Sequence, residues 1–454
     1  MSNTSSPSAF VSSVTRRRFL GLTGGAALGL GLAACSPGSS GVPGGANSAP
    51  AATAGATAYD GPEVALNFWN GFTGGDGPIM KKLVQQFTTE HSNIKVTMNT
   101  MQWADYYAKL PSAVTAGKGP EIAIMHVDSV ATNAARRVIQ PLDDVAKALN
   151  LSEADFAPVP WLAGIYKEQR YAIPLDVHPL GFFYNKTVME KAGLDPEKPP
   201  TNNEEYMTAL EALKSKGIEG HWATPFPFTG SLTVQSLLWQ FGGDLFSPDA
   251  STATWADEPG VKALTWFVDL VKNGHSPGKI AQDADIVALQ NGKNAFNWNG
   301  IWTMGTLAGE SKLEWGAAAL PNIGGKPAAW AGSHQFVLPT LKTADENRST
   351  AARVFLNWIS QQSIEWAKAG QVPARNSVRE SSEFAALPVQ AALGAQINDL
   401  RFTPAVAGIG DAMEEWNKAV NEAVLGTKAP QAALSDAAGR ADKILAANKQ
   451  KYGG

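Results

Sequence analysis

Cysteine is nearly absent: Cys35 is the only one in 454 residues, so an internal disulfide is excluded and stability must come from the core. Long apolar runs are also missing. A membrane-spanning helix needs about 20 apolar residues, whereas the run Phe19 to Ala34 is shorter and is broken by Gly24, Gly25, Gly29 and Gly31. A permanent transmembrane segment is therefore not expected there. Dense positive charge stops at Arg16-Arg17-Arg18; with 37 Lys and Arg against 41 Asp and Glu, nothing marks a nucleic-acid footprint. The stretch Ser36 to Ala58 lacks charge and aromatics altogether, being only Ser, Gly, Pro, Ala, Val, Asn and Thr, a composition that buries too little to offset chain ordering. The chain after Cys35 also has no Gly-x-Ser-x-Gly elbow, no His-Glu-x-x-His and no Walker loop.

What is present begins with the leader. The arginine cluster, the short apolar run and the small residues before Cys35 have the layout of a bacterial export signal. Thr15-Arg16-Arg17-Arg18-Phe19-Leu20 resembles the twin-arginine signature, and Leu32-Ala33-Ala34-Cys35 resembles the lipobox of bacterial lipoproteins. That resemblance implies an acylated Cys35 as the mature N-terminus, residues 1–35 being the signal; twin-arginine and general export both stay open. Residues 36–59 then read as a tether reaching about 25 Å if flexible.

From Tyr59 onward the chain is long enough for two domains. Val64–Trp69 reads as a strand, Pro78 opens a helix with apolar Ile79, Met80, Leu83, Val84 and Phe87, and Ile94, Val96 and Met98 alternate as a strand does. A helix near Tyr106 to Ala116 and the apolar run Ile122–Met125 complete β-α-β-α-β, the order of a parallel sheet flanked by helices. Ligands bind beyond the carboxyl ends of such strands. Here those ends carry Trp69-Asn70, Gln102-Trp103 and His126-Val127-Asp128, flat apolar faces beside neutral hydrogen-bonding groups. A pyranose asks for that mixture, because its C–H face packs on an aromatic ring while its hydroxyls require partners. Two readings stay open for each: Trp69 as ligand contact or core, Asp128 as ligand contact or helix cap.

The blocks "FWNGFTGGDGPIMKKLVQQFTTEHSNIKV" (68–96), "LPSAVTAGKGPEIAIMH" (110–126), "GGDLF" (242–246) and "NGKNAFNWNGIWTMG" (291–305), with the segments 173–206 and 315–339, resemble in this order the extracellular solute-binding proteins of carbohydrate ABC importers. The resemblance implies an α/β, two-lobed periplasmic-binding-protein-like fold of type II with the ligand cleft between the lobes. Lobe 1 would be 60–178 with 332–395, and lobe 2 would be 179–331 with 396–454. The crossings would fall near Leu175–Leu180 and Trp330–Gln335, placing Asp176, His178, Trp330, Ser333 and His334 at the cleft. Phe296–Trp302 resembles the family's Gly-x-Trp element, which implies Asn299 and Gly300 as contacts and Trp298 or Trp302 as a stacking floor. Gly370-Gln371-Val372-Pro373-Ala374-Arg375 resembles a Gly-x-x-Pro-x-Arg turn, in which Arg375 either donates to ligand hydroxyls or holds a structural carboxylate.

The implied protein is a monomer on the extracytoplasmic face of the membrane, held by a lipid anchor, with a carbohydrate ligand and ABC permease subunits as partners. It is not an enzyme and needs no cofactor. Three other readings compete. Asp128 with Asp176 or Asp244 supplies the two carboxylates of glycoside hydrolysis, though nothing fixes their separation. His126, His178 and His334 all fall in cleft segments and supply three imidazoles for zinc, but their spacing follows no ligand pattern, so no metal is expected. Arg375, Ser333 and His334 suit a glycerol-phosphate-type phosphodiester.

Overall fold

The computed structural model describes residues 58–453, and Cys35 with the leader lies outside the described residues. In chain order the strands are β1 (Val64–Asn70), β2 (Ile94–Thr100), β3 (Ile122–His126), β4 (Ile165–Tyr166), β5 (Gln169–Arg170), β6 (Ile173–Pro174), β7 (Asp176–Asn185), β8 (Phe296–Gly300), β9 (Trp315–Ala318), β10 (Ala329–Gly332), β11 (His334–Val337), β12 (Val372–Pro373) and β13 (Leu400–Arg401). They form two main sheets, each with its own core, and so two α/β lobes.

In the first sheet β1 lies between β2 and β3, parallel to both. The helix Gly77–Glu90 returns the chain from β1 to β2, and the helix Trp103–Thr115 from β2 to β3. Alternation does the sorting: Val64, Leu66 and Phe68 turn one face of β1 inward, and Met80, Leu83, Val84 and Phe87 cover it at helical spacing. Phe355 closes the seam with edge contacts to Phe68 at 5.3 Å and Phe87 at 4.9 Å. Each such ring removed from water stabilises the fold by about 1.5–3 kcal/mol. Two features depart from the sequence-based expectation. The second helix begins at Trp103 rather than near Tyr106, which sets the indole at a helix start. The sheet is also mixed, because β11 runs antiparallel to β3. It belongs to a segment coming back from the other sheet, so its direction follows from connectivity.

The second sheet is built on β7, whose ten residues are all buried. β8 and β9 pair antiparallel with its outer half, at Leu180–Asn185, and β10 and β12 with its inner half, at Asp176–Pro179. Tyr206, Phe296, Trp298, Trp255 and Trp416 fill the core beside it.

Two segments pass directly between the sheets. β6 leads through the single residue Leu175 into β7, and β10 through Ser333 into β11. The crossings are laced together: Leu175 N–H donates to the His334 carbonyl at 2.8 Å, and the Ser333 hydroxyl donates to the Asp176 carbonyl at 2.6 Å. Farther out the lobes also touch. A Cβ on Gly75, in the loop after β1, would lie 3.5 Å from the Cα of Gly305, in the short helix after β8. Gly408 N–H donates to the Thr132 hydroxyl at 2.9 Å, and Arg136 Nε donates to the Tyr452 hydroxyl at 3.0 Å.

Candidate functional site

The crossings place chemistry from three strands in one spot. β3 ends on His126, β11 begins on His334, and the two are cross-strand partners; β7 begins on Asp176, and His178 two residues on pairs with Gly332 of β10. A spacing of two puts Asp176 and His178 on the same face of their strand. The imidazole centroids of His178 and His334 lie 4.3 Å apart, those of His126 and His334 5.2 Å, and those of His126 and His178 5.8 Å.

Asp176 organises this cluster from below. Its carboxylate is fully buried and receives four protein donors or donor-capable groups: His334 N–H at 2.9 Å, His178 Nδ1 at 3.1 Å, His334 Nδ1 at 2.7 Å and Trp366 Nε1–H at 2.7 Å. Burial opposes its charge, but the His334 charge, the two imidazole hydrogen bonds and the His178 charge prevail, holding the carboxyl well below its ordinary range. His178 is pulled down to about 4 by burial and then by His334, with Asp176 opposing. His126 is likewise held well below the usual imidazole value, by burial first and then by the other two rings.

Aromatic rings wall the cluster on both sides. From lobe 1 come Trp103, whose ring lies 4.2 Å from His126 and stacks at 5.8 Å on His334, and Phe72, edge-on to His334 at 5.0 Å. From lobe 2 come Trp302 and Trp330, each 6.0 Å from His178 and half-buried. Glycines make room for them: the Trp103 ring lies on Gly71, the Trp302 ring on Gly300 and the His178 ring on Gly332, where a Cβ would collide with each. Asp76, at the start of the helix Gly77–Glu90, is within charge range of His334 and Asp176, and burial raises its carboxyl.

Of the residues expected at the site, His178, His334, Trp302 and Trp330 are thus brought together. Asp176 and Ser333 stand beneath the cluster rather than on its surface. Both are fully buried, and the Ser333 hydroxyl is taken by the Asp176 carbonyl and Gln335 Nε2. Trp298 is a correction: it is buried in lobe 2 against Trp266, Tyr206 and His221, so it cannot serve as a stacking floor. Arg375 is another, since its guanidinium stacks over Phe156 at 5.2 Å and its Nε donates to Ser360 at 2.8 Å, contacts outside the histidine cluster. Asn70 is fully buried and accepts from Phe72 N–H and the Thr100 hydroxyl, fixing the turn after β1. Asn299 accepts from Gly300 N–H at 2.8 Å, and Gly300 carries the Trp302 ring rather than offering open backbone. Trp69 is half-buried with Lys109 over its ring at 5.1 Å, Gln102 is exposed, and half-buried Asp128 has its carboxyl raised by burial. Phe72, Trp366 and Asp76 were not anticipated; Asp76, directly before Gly77-Pro78, carries the signal of a helix start facing the strand ends.

The sequence pattern of the bacterial extracellular solute-binding protein family matches residues 82–392, more than half of the chain. The chain belongs to this family, whose members are extracytoplasmic substrate-binding proteins. Among solved structures it is similar to the cyclic α-maltosyl-1,6-maltose binding protein of Arthrobacter globiformis, with a TM-score of 0.72 and 25% identity over 85% of this chain and 99% of that one. The GacH receptor of Streptomyces glaucescens, solved unliganded and with acarbose, matches with a TM-score of 0.75 and 22% identity over 85% and 99%. The sn-glycerol-3-phosphate-binding periplasmic protein UgpB of Salmonella typhimurium is 24% identical over 422 residues, 86% of this chain and 94% of that protein.

Proposed function

We propose that the protein captures a carbohydrate between its two lobes and delivers it to the membrane subunits of an ABC importer. The observation that carries this reading is the pairing of Trp103 from one lobe with Trp302 and Trp330 from the other around a polar imidazole cluster. Such rings give a sugar its stacking faces, and the imidazoles accept from or donate to its hydroxyls. The sugar-binding neighbours support the same reading. Crossings at Leu175 and Ser333 favour lobe boundaries near 178 and 332, whereas β12 pairs with β7, and Phe384 and Leu393 pack with that second sheet, so the part of 332–395 from Val372 onward goes with lobe 2 rather than lobe 1. Acylation of Cys35 would hold a monomer near the permease.

The UgpB relatives favour a glycerol-phosphate ligand, whereas Arg375, the cation expected to meet a phosphate, lies over Phe156 and donates through Nε to Ser360, contacts outside the histidine cluster. Calorimetry of the tagless mature protein against mono-, di- and trisaccharides and glycerol phosphodiesters separates the two. We expect heat from a sugar and no turnover. Binding only by the phosphodiesters, or hydrolysis of a glycoside, would refute the reading.

A further inference from the structure

The three histidines do more than line a cleft. One ring nitrogen from each of His126, His178 and His334 lies within 4.8 Å of one from each of the others. Their Nδ1 atoms are spoken for: His178 and His334 share the two oxygens of Asp176, and His126 meets the Tyr107 hydroxyl at 3.0 Å. Tyr107 is itself fixed, accepting the His126 backbone N–H at 2.8 Å. Nε2 of each ring is the nitrogen that the described hydrogen bonds leave unengaged. An imidazole whose Nδ1–H is donated to a carboxylate or hydroxyl oxygen presents a basic Nε2 lone pair, the arrangement by which a metal-ligating histidine is oriented.

From this geometry we propose that His126, His178 and His334 bind a divalent transition-metal ion of the Zn²⁺ type through their Nε2 atoms, with Asp176 and Tyr107 as positioning residues. Zinc bonds to imidazole are about 2.0–2.1 Å, which sets the three nitrogens of a tetrahedral ion about 3.4 Å apart. With one nitrogen of each ring already within 4.8 Å of the others, bringing the three Nε2 atoms to that spacing asks for rotation and shift of the side chains. All three sit at strand ends within one hydrogen-bonded lattice, so backbone rearrangement is not required. Three neutral imidazoles suit zinc, nickel or copper better than calcium or magnesium, which prefer oxygen. Three protein ligands also leave a fourth position for water or for a hydroxyl or anionic oxygen of a bound solute. The charge of the ion would be met by Asp176 directly behind two of its ligands.

The test uses the tagless mature protein, stripped with chelator and dialysed, and titrated with ZnCl₂ alone in calorimetry and with CoCl₂ in visible absorption. One ion should bind per chain, with the strong visible bands of four-coordinate cobalt and a raised melting temperature. His126→Ala, at a half-exposed strand end, and His334→Gln should each weaken binding at least tenfold, and Asp176→Asn about 10–100-fold, as expected for a residue orienting two ligands. His91→Ala should change nothing. No saturable binding at 100 µM zinc, or undiminished binding in folded His126→Ala, overturns the proposal; should His334→Gln or Asp176→Asn lose its circular dichroism, His126→Ala decides. Sugar titrations run in chelator keep the outcome separate from the carbohydrate reading, since either can fail alone.

Discussion

Tryptophans of the same type have opposite jobs here, and burial tells them apart. Trp298 is closed into the lobe 2 core, so Trp298→Ala should cost stability, about 3–5 kcal/mol by denaturant unfolding. Trp302 and Trp330 are half-buried at the cleft; Trp302→Ala or Trp330→Ala should weaken sugar binding by about 2 kcal/mol while the midpoint of unfolding moves little. Equal loss of stability in all three would remove the distinction. A second residue-scale expectation concerns His221, buried in the same core with Nδ1 2.7 Å from the Tyr206 hydroxyl and pushed by burial down to about 3. The folded chain stays neutral there while the unfolded chain takes up a proton below about pH 6.5. Its contribution is therefore complete above that pH and is lost as pH falls toward 3, by up to about 1.4 kcal/mol per unit. Comparing unfolding at pH 7.5 and 5 in the native protein and in His221→Gln should show the smaller drop in the variant. The resemblance places Trp330 at the cleft, but the division of labour between Trp298 and Trp302 was not legible. "FNWNGIW" presents two indoles in one short stretch, and strand parity alone does not say which of them faces the core; Arg375 was ambiguous for the same reason, because Phe156 and Ser360, which claim it, are remote in sequence.

At the scale of elements, far more could be read. The alternation of Val64, Leu66 and Phe68 and the helical spacing of Met80, Leu83 and Phe87 are local signals, and the order β1, helix, β2, helix, β3 follows from them. The direction of β11 is not local: it is set by a return from the other sheet, β7 beginning at Asp176 and β11 only at His334. The turn after β1 shows how an element serves the site. Gly71 leaves the space on which the Trp103 ring lies, so Gly71→Ala should displace that ring and lower sugar affinity at least tenfold, with a stability loss of about 1–3 kcal/mol typical of overpacking. Unaltered affinity would show that Trp103 takes no part in binding.

For the whole molecule, the two direct crossings allow the lobes to move as bodies about Leu175 and Ser333, the geometry of hinge closure. A ligand that touches both lobes should favour the compact arrangement. Small-angle scattering of the mature protein should accordingly give a smaller radius of gyration with saturating sugar than without. An unchanged radius would argue against closure. The clustering of indoles at this hinge has an optical consequence. Of the fourteen tryptophans, Trp103, Trp302 and Trp330 stand half-buried about the imidazoles, while Trp255, Trp298, Trp366 and Trp416 are sealed in the interior. The sealed set should give a steady blue-shifted background and the half-buried set a variable one, so occupation of the cleft should shift the colour of the unlabelled protein's own emission.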